Sequence, residues 1–192
     1  MLDKLLELDT ELFVYLNGLG SSSWDGLWLV ITNKLTFVPL YALLLFLIYK
    51  KLGLKPLLII VVTITLMILF TDQTTNLVKR SVLRFRPCAC DEIKDIIRFI
   101  ADRCSSNRSF FSGHASNSMA AAVFGGLVLR PYFKNLMFIL LFWAFLVAYS
   151  RIYVGVHFPV DILCGMTFGA LAGFGFYKLH KYLLQRFIKA ES

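Results

Sequence analysis

Acidic residues are scarce in this chain. Asp and Glu number 12 against 20 Lys and Arg in 192 residues, and charged residues of both signs make up only 17%. Linkers, internal repeats and low-complexity tracts are absent, so a single domain is expected over residues 1–192. No cleavable signal peptide is visible. The first twenty residues carry Asp3, Lys4, Glu7, Asp9 and Glu11, which suits neither a signal-peptide core nor a membrane span. Histidines number three and cysteines four. With no histidine between Cys88 and Cys104, and a C-x-C spacing, a zinc site is not expected. No metal and no cofactor is called for.

What is abundant is apolar sequence. The chain is 58% hydrophobic with a mean hydropathy of +0.70, and the apolar residues come in long blocks, the mark of a membrane protein. Five blocks can span: about Trp24–Tyr49, broken at Asn33-Lys34 so that its first part suits the interface; Leu54–Val78; Ser112–Leu129; Phe133–Tyr149; and Pro159–Tyr182. Leu5, Leu8, Leu12 and Leu16, with Leu6 and Phe13, can form an apolar stripe, so residues 1–20 read as an amphipathic helix lying in the interface. The expected fold class is all-α: a polytopic membrane bundle of five transmembrane helices, six if the N-terminal helix also crosses.

The charges orient the bundle. Lys50, Lys51 and Lys55, then Arg130 and Lys134, then Lys178, Lys181, Arg186 and Lys189 flank alternate ends of the blocks, accompanied by Glu191 alone among the acids. Asp3, Glu7, Asp9, Glu11, Asp25, Asp91, Glu92, Asp95 and Asp102 fall in the other set of segments. The positive-inside rule makes the basic set cytoplasmic. Charges that flank spans do not form a nucleic-acid stripe, so no nucleic-acid partner is expected. The N-terminus, the loop over residues 80–111 and the turn from Arg151 to Phe158 then lie outside, in a cytoplasmic (inner) membrane. There, one of Cys88 and Cys90 can pair with Cys104. Gly165, Gly169 and Gly173 form two overlapping G-x-x-x-G units. Packing inside the bundle is expected of them, and a homodimer through them is not predicted.

Three motifs meet at that outer face. Asp72, Asn76 and Lys79 share one helix face, and Arg86 returns to it if the helix persists to Pro87. Ionisable groups in a span face a polar interior and suggest function. Lys79 supplies a point charge and Arg86 a fork for two phosphate oxygens. Arg80 and Arg84 point elsewhere and read as snorkelling anchors. Ser112 is a candidate N-cap, Gly113 allows close approach of backbone to a ligand, and the helix start suits phosphate. His114, in that first turn, is placed to donate a proton. Last, Ser150-Arg151 precedes His157 and Asp161, four apart with Pro159 between them. Pro159 suits a first helical position, so Asp161 can bond one imidazole nitrogen of His157 and leave the other free.

Together these spacings resemble the type 2 phosphatidic acid phosphatase family, which is related to vanadium haloperoxidases. The family pattern K-x6-RP, PSGH and SR-x5-H-x3-D is met by Lys79, Arg86 and Pro87, by Ser112, Gly113 and His114, and by Ser150, Arg151, His157 and Asp161. Phe111 stands where the pattern has Pro. The resemblance implies that His157 attacks phosphorus to form a phosphohistidine and that Asp161 orients it. It implies that His114 protonates the leaving oxygen and then activates water. Lys79, Arg86 and Arg151, helped by Ser112 and the Gly113 backbone, would neutralise the phosphoryl oxygens without a metal. The expected substrate is a membrane lipid phosphate, with undecaprenyl pyrophosphate and a role in cell-wall synthesis preferred. Phosphatidylglycerophosphate, phosphatidic acid and lipid A phosphate are the alternatives. A vanadate-dependent haloperoxidase and a non-catalytic lipid-binding protein are rivals of another class.

Overall fold

A computed structural model describes residues 2–104 and 108–187. Lys189 and Glu191 of the C-terminal charge cluster lie outside the described residues. Among the described residues seven α-helices follow one another: α1 (Leu2–Gly18), α2 (Ser22–Thr32), α3 (Val38–Leu52), α4 (Leu54–Val82), α5 (Gly113–Leu129), α6 (Leu136–Tyr153) and α7 (Pro159–Phe187). A short 3-10 turn at Lys34–Phe37 joins α2 to α3, at the break foreseen from Asn33-Lys34. Gly53, at a φ of 84°, turns the chain between α3 and α4, a conformation glycine adopts without a steric penalty.

Segments Lys34–Leu52, Leu54–Ala89, Leu136–Tyr153 and Pro159–Phe187 are long and apolar enough to cross a membrane. The remaining expected span, α5, has 17 residues, most of them buried, and touches α4, α6 and α7. It is the central helix, and its small residues explain how it can be surrounded. A β-carbon at Gly165 or Gly173 of α7 would lie 2.6 Å from the carbonyl oxygen of Ser112 or Ala120, and one at Gly169 would crowd that of Ser116. The glycine seam is therefore occupied by α5 within the chain, as small residues permit when backbones approach in lipid. Many large apolar side chains on the outer faces of α3, α4, α6 and α7 are exposed, Leu58, Phe138, Phe142 and Leu171 among them, which suits contact with hydrocarbon.

The N-terminal helix differs from the sequence reading in one respect. Leu5, Leu6, Leu8 and Leu12 are exposed, but Phe13 is fully buried, and it shares its inward face with Asp9 and Asn17, both buried. These three recur every four residues, one turn apart. The single apolar stripe expected there is thus divided between two faces, because the inward face carries polar groups that satisfy backbone in the outer loops. Asn17 Nδ2 donates to the carbonyls of Arg98, Ile152 and Tyr153, each at 3.0 Å, and its Oδ1 accepts from Arg98 N at 2.7 Å. Phe13 meets Phe158 edge-on, with ring centroids 5.3 Å apart.

The outer loop is braced. Cys88 pairs with Cys104, and Cys90 is free, which settles between the two pairings left open by the sequence. Arg98 Nη2 reaches both oxygens of Asp25 at 2.9 Å, and Tyr153 Oη donates to Asp25 Oδ1 at 2.9 Å. Loop, α2 and the end of α6 are thereby tied together.

Candidate active site

Each predicted side chain arrives at the site on a different support. Lys79 lies in the last turn of α4, on the face that also holds Asp72 and Asn76. Arg86 arrives otherwise than expected. The helix does not persist to Pro87. It stops at Val82, and Leu83 takes a left-handed φ of 51°, the turn that usually ends helices at glycine. Arg86 then lies in extended backbone just before a 3-10 turn opened by Pro87.

Ser112 caps α5: its Oγ accepts from Ala115 N at 3.4 Å, and its own N–H donates to the Asp161 carbonyl at 3.0 Å. The hydroxyl is fully buried and committed to the cap, so the line of approach to a ligand belongs to Gly113 and His114. Phe111, in the place of the family's Pro, is buried and packs on Phe168, with ring centroids 5.2 Å apart.

Arg151 sits in the last turn of α6, its Nη1 donating to Thr32 Oγ1 at 2.5 Å. Ser150 Oγ donates to the Val147 carbonyl at 2.7 Å and lies 3.1 Å from the same threonine hydroxyl. The serine of this motif therefore fixes α6 to the end of α2. Beyond it the chain turns at Gly155, whose φ is 83° and whose β-carbon, were there one, would lie 2.7 Å from the Arg98 carbonyl. Only glycine suits that corner. The turn delivers His157, and Pro159 opens α7 with Asp161 in its first turn, as the sequence predicts.

His157 Nδ1 lies 3.4 Å from Asp161 Oδ2 and 3.3 Å from Ser109 Oγ. Asp161 Oδ2 also accepts from Ser109 Oγ and, at 3.1 Å, from Phe158 N. Asp161 Oδ1 accepts from Arg84 Nη1 at 2.8 Å, while Arg84 Nη2 donates to Asp9 Oδ2 at 2.6 Å. Asp9 Oδ1 in turn accepts from Val160 N at 2.9 Å. Burial pushes the His157 imidazole below the usual histidine range, and the adjacent Asp161 carboxylate offsets only part of that. With Nδ1 facing Asp161, Nε2 is the nitrogen left for chemistry.

Arg84 is thus a correction to its reading as a snorkelling anchor. Its guanidinium bridges two carboxylates and stacks 4.1 Å from the Phe158 ring centroid. Asp9 and Ser109 were also missed. Another is Lys34, which the sequence shows only as an interruption of an apolar block and which lines the same cavity as the motifs.

That cavity has a volume of about 720 Å³, and Lys34, Lys79, Arg86, His114, Arg151 and His157 all open into it. Two histidines and four cations gathered from six separate segments therefore share one pocket of a size usual for ligand sites. The Nε atoms of Arg86 and Arg151 are buried with no hydrogen-bond partner among the described residues. A buried donor left unpaired is costly, and an anion with several oxygens is the ligand that would satisfy both. Among the described residues no group of three or more His, Cys, Asp and Glu is arranged to hold a metal ion.

The comparisons with known proteins agree with this chemistry. The sequence profile of the PAP2 superfamily matches residues 56–185. A lipid A 4′-phosphatase of Bacteroides thetaiotaomicron is 34% identical over 188 residues, covering 97% of this chain and 83% of that protein. A lipid A 4′-phosphatase of Porphyromonas gingivalis is 34% identical over 194 residues, covering 99% of this chain and 80% of that one. In fold, the chain superposes with a TM-score of 0.74 on the crystal structure of a transmembrane PAP2-type phosphatidylglycerolphosphate phosphatase from Bacillus subtilis. That match covers 96% of this chain and 89% of the other, at 22% identity. The chain belongs to the PAP2 superfamily and is a membrane-embedded lipid phosphatase of that type.

Proposed function

We propose that this protein removes a phosphate group from lipid A, at the 4′ position. The observation that carries the reading is similarity along nearly the whole chain to two lipid A 4′-phosphatases. It displaces undecaprenyl pyrophosphate, the substrate preferred from the sequence, in favour of what stood there as an alternative. A compact chain and an amphipathic first helix describe the fold and leave the headgroup open.

In the proposed reaction, His157 Nε2 attacks phosphorus in line with the ester bond. A P–N bond forms, the P–O bond breaks, and His114 gives its proton to the leaving sugar oxygen. Asp161 holds the ring of His157 and balances the positive charge the phosphohistidine carries. Lys79, Arg86 and Arg151, with the Gly113 backbone at the start of α5, neutralise the equatorial oxygens. His114, now neutral, takes a proton from water, whose oxygen attacks phosphorus. Inorganic phosphate leaves and His157 is restored. The reaction is placed at the outer face of the cytoplasmic membrane, a reading supported by the distribution of Lys and Arg and by a disulfide in the loop beside the site.

The test is phosphate release by the purified protein in detergent from lipid A bearing both phosphates, from its 1- and 4′-monophosphates, and from undecaprenyl pyrophosphate, phosphatidylglycerophosphate and phosphatidic acid. The expected result is the highest kcat/KM on lipid A species bearing the 4′-phosphate. His157→Ala should lower it by at least ~10³-fold, as loss of a covalent nucleophile does. A preference for undecaprenyl pyrophosphate would overturn the substrate assignment, and full activity in His157→Ala the assignment of the nucleophile.

A further inference from the structure

Below its cations the cavity changes character in steps. Along α4 the lining runs from Lys79 through Asn76, Thr75 and Asp72 to Ile68 and Ile64. At 1.5 Å per residue, Asp72 lies about 10 Å beyond Lys79 and Ile64 about 12 Å beyond Asp72. The central helix repeats the order: His114, then Asn117, then Ala121 and Phe124. A belt of hydrogen-bonding groups therefore separates the phosphate-binding end from the apolar depth.

The belt is prepared for a ligand. Asn117 Nδ2 donates to Asp72 Oδ1 at 2.7 Å, and Thr71 Oγ1 donates to Asn117 Oδ1 at 2.6 Å. Asp72 and Asn117 are thereby oriented, with Asp72 Oδ2 and the second N–H of Asn117 left for a ligand by the hydrogen bonds among the described residues. Thr75 is the more telling group. Thr63 and Thr65 of the same helix each bond back to the carbonyl four residues earlier, at 2.7 and 2.9 Å. This is how a hydroxyl on a helix is ordinarily satisfied. Thr75 does not. Its side chain is 2% exposed, it lines the cavity, and its Oγ1 has no partner among the described residues.

A lipid whose hydrocarbon begins directly at the phosphate would lay methylenes across these groups and leave them unpaired, which low dielectric makes costly. We propose that Asp72, Thr75, Asn76 and Asn117 form a subsite for the hydroxyl- and amide-bearing sugar that carries the scissile phosphate. By it the enzyme selects a phosphorylated glycolipid over a polyprenyl phosphate or diphosphate. The acyl chains continue into the apolar depth beside Ile64 and Phe124. The subsite presupposes the proposed lipid A activity and names the part of the protein that enforces it.

The experiment compares kcat/KM for lipid A with that for undecaprenyl pyrophosphate in the full chain and in Thr75→Val, Thr75→Ser and Asn76→Leu. Thr75→Val keeps shape and removes the hydroxyl. The lipid A to polyprenyl ratio is expected to fall at least ~10-fold in Thr75→Val and in Asn76→Leu, the penalty for unmatched polar groups in a specificity site. Thr75→Ser should keep the ratio near that of the parent. If Thr75→Val fails to fold, Asn76→Leu, on an exposed position of the helix, carries the comparison. Equal losses on both lipids, or an unchanged ratio, would overturn the subsite while leaving the lipid A activity standing. A parent protein that does not prefer lipid A would overturn both.

Discussion

The Asp161 carboxylate accepts four hydrogen bonds, and only one partner is the histidine it orients. The side chain is fully buried, and a carboxylate so enclosed requires donors on both oxygens. Arg84 supplies the one on Oδ1 and is itself held by Asp9, so the direction in which His157 points depends on a residue 148 positions away on α1. Bonds to charged groups contribute about 1.5–3 kcal/mol each, so Arg84→Gln is expected to lower kcat by roughly 10- to 100-fold with a smaller change in KM. Arg84→Lys should recover little, because a single ammonium cannot serve two carboxylates as the fork does. Steady-state kinetics on lipid A in detergent would show it. A kcat within twofold of the parent would mean that Ser109 and the Phe158 N–H suffice. The sequence conceals this residue for a definite reason. Helical periodicity carried past Val82 aims Arg84 away from Lys79, but the helix has already ended in the left-handed turn at Leu83. His157 and Asp161 were legible because their spacing and Pro159 define a helix start with no long-range help. Asp9 was not, since its partners are 75 and 151 residues distant, and no local pattern encodes such a contact.

Among elements, the pair α5 and α7 decides whether a site exists at all. One brings His114 and the other Asp161, and the register between them is set by glycines lying on carbonyls of Ser112, Ser116 and Ala120. The G-x-x-x-G spacing revealed in advance that a close contact would form; that the partner would be α5 follows from α5 being the helix with the smallest side chains. A methyl group at the seam has no room, whereas at Gly175, six residues beyond Gly169, no atom of the described residues comes within 4 Å of where a β-carbon would go. The two positions make a matched pair. Gly169→Ala is expected to destabilise by about 1–3 kcal/mol, as overpacking does, and to reduce activity as His114 is displaced. Gly175→Ala should be neutral or slightly stabilising through helix propensity, by up to ~1 kcal/mol. Thermal unfolding in detergent, read beside phosphate release, separates them. Equal midpoints for the two variants would show that the helices can part at no cost.

For the whole molecule the question is which side of the membrane the cavity faces. The loop that carries Arg86 and Ser109, the turn that carries His157 and the start of α5 converge at one end of the bundle, because they open into or border one cavity. The turn holding Arg130 and Lys134 follows α5 and so lies at the other end. Two independent facts favour the outer side for the cavity. The basic clusters at the opposite ends of the spans are accompanied by one acid alone, Glu191, and clusters of that kind are what the positive-inside rule assigns to the cytoplasm. The Cys88–Cys104 bridge lies in the loop beside the site, and such bonds persist in oxidising compartments. The expected outcome is tested in a Cys90→Ser, Cys164→Ser background that leaves the bridge intact, with a single reporter cysteine at Glu92→Cys or at Lys134→Cys. In bacterial cells with a permeabilised outer membrane, an impermeant maleimide should label Glu92→Cys without lysis and Lys134→Cys only after it. Glu92 is exposed and Lys134 likewise, so access to the thiol does not limit either reaction. The reverse pattern would place the phosphatase chemistry in the cytoplasm. The substrate phosphate would then have to be reached before the lipid crosses the membrane, and the bridge would have to survive a reducing compartment.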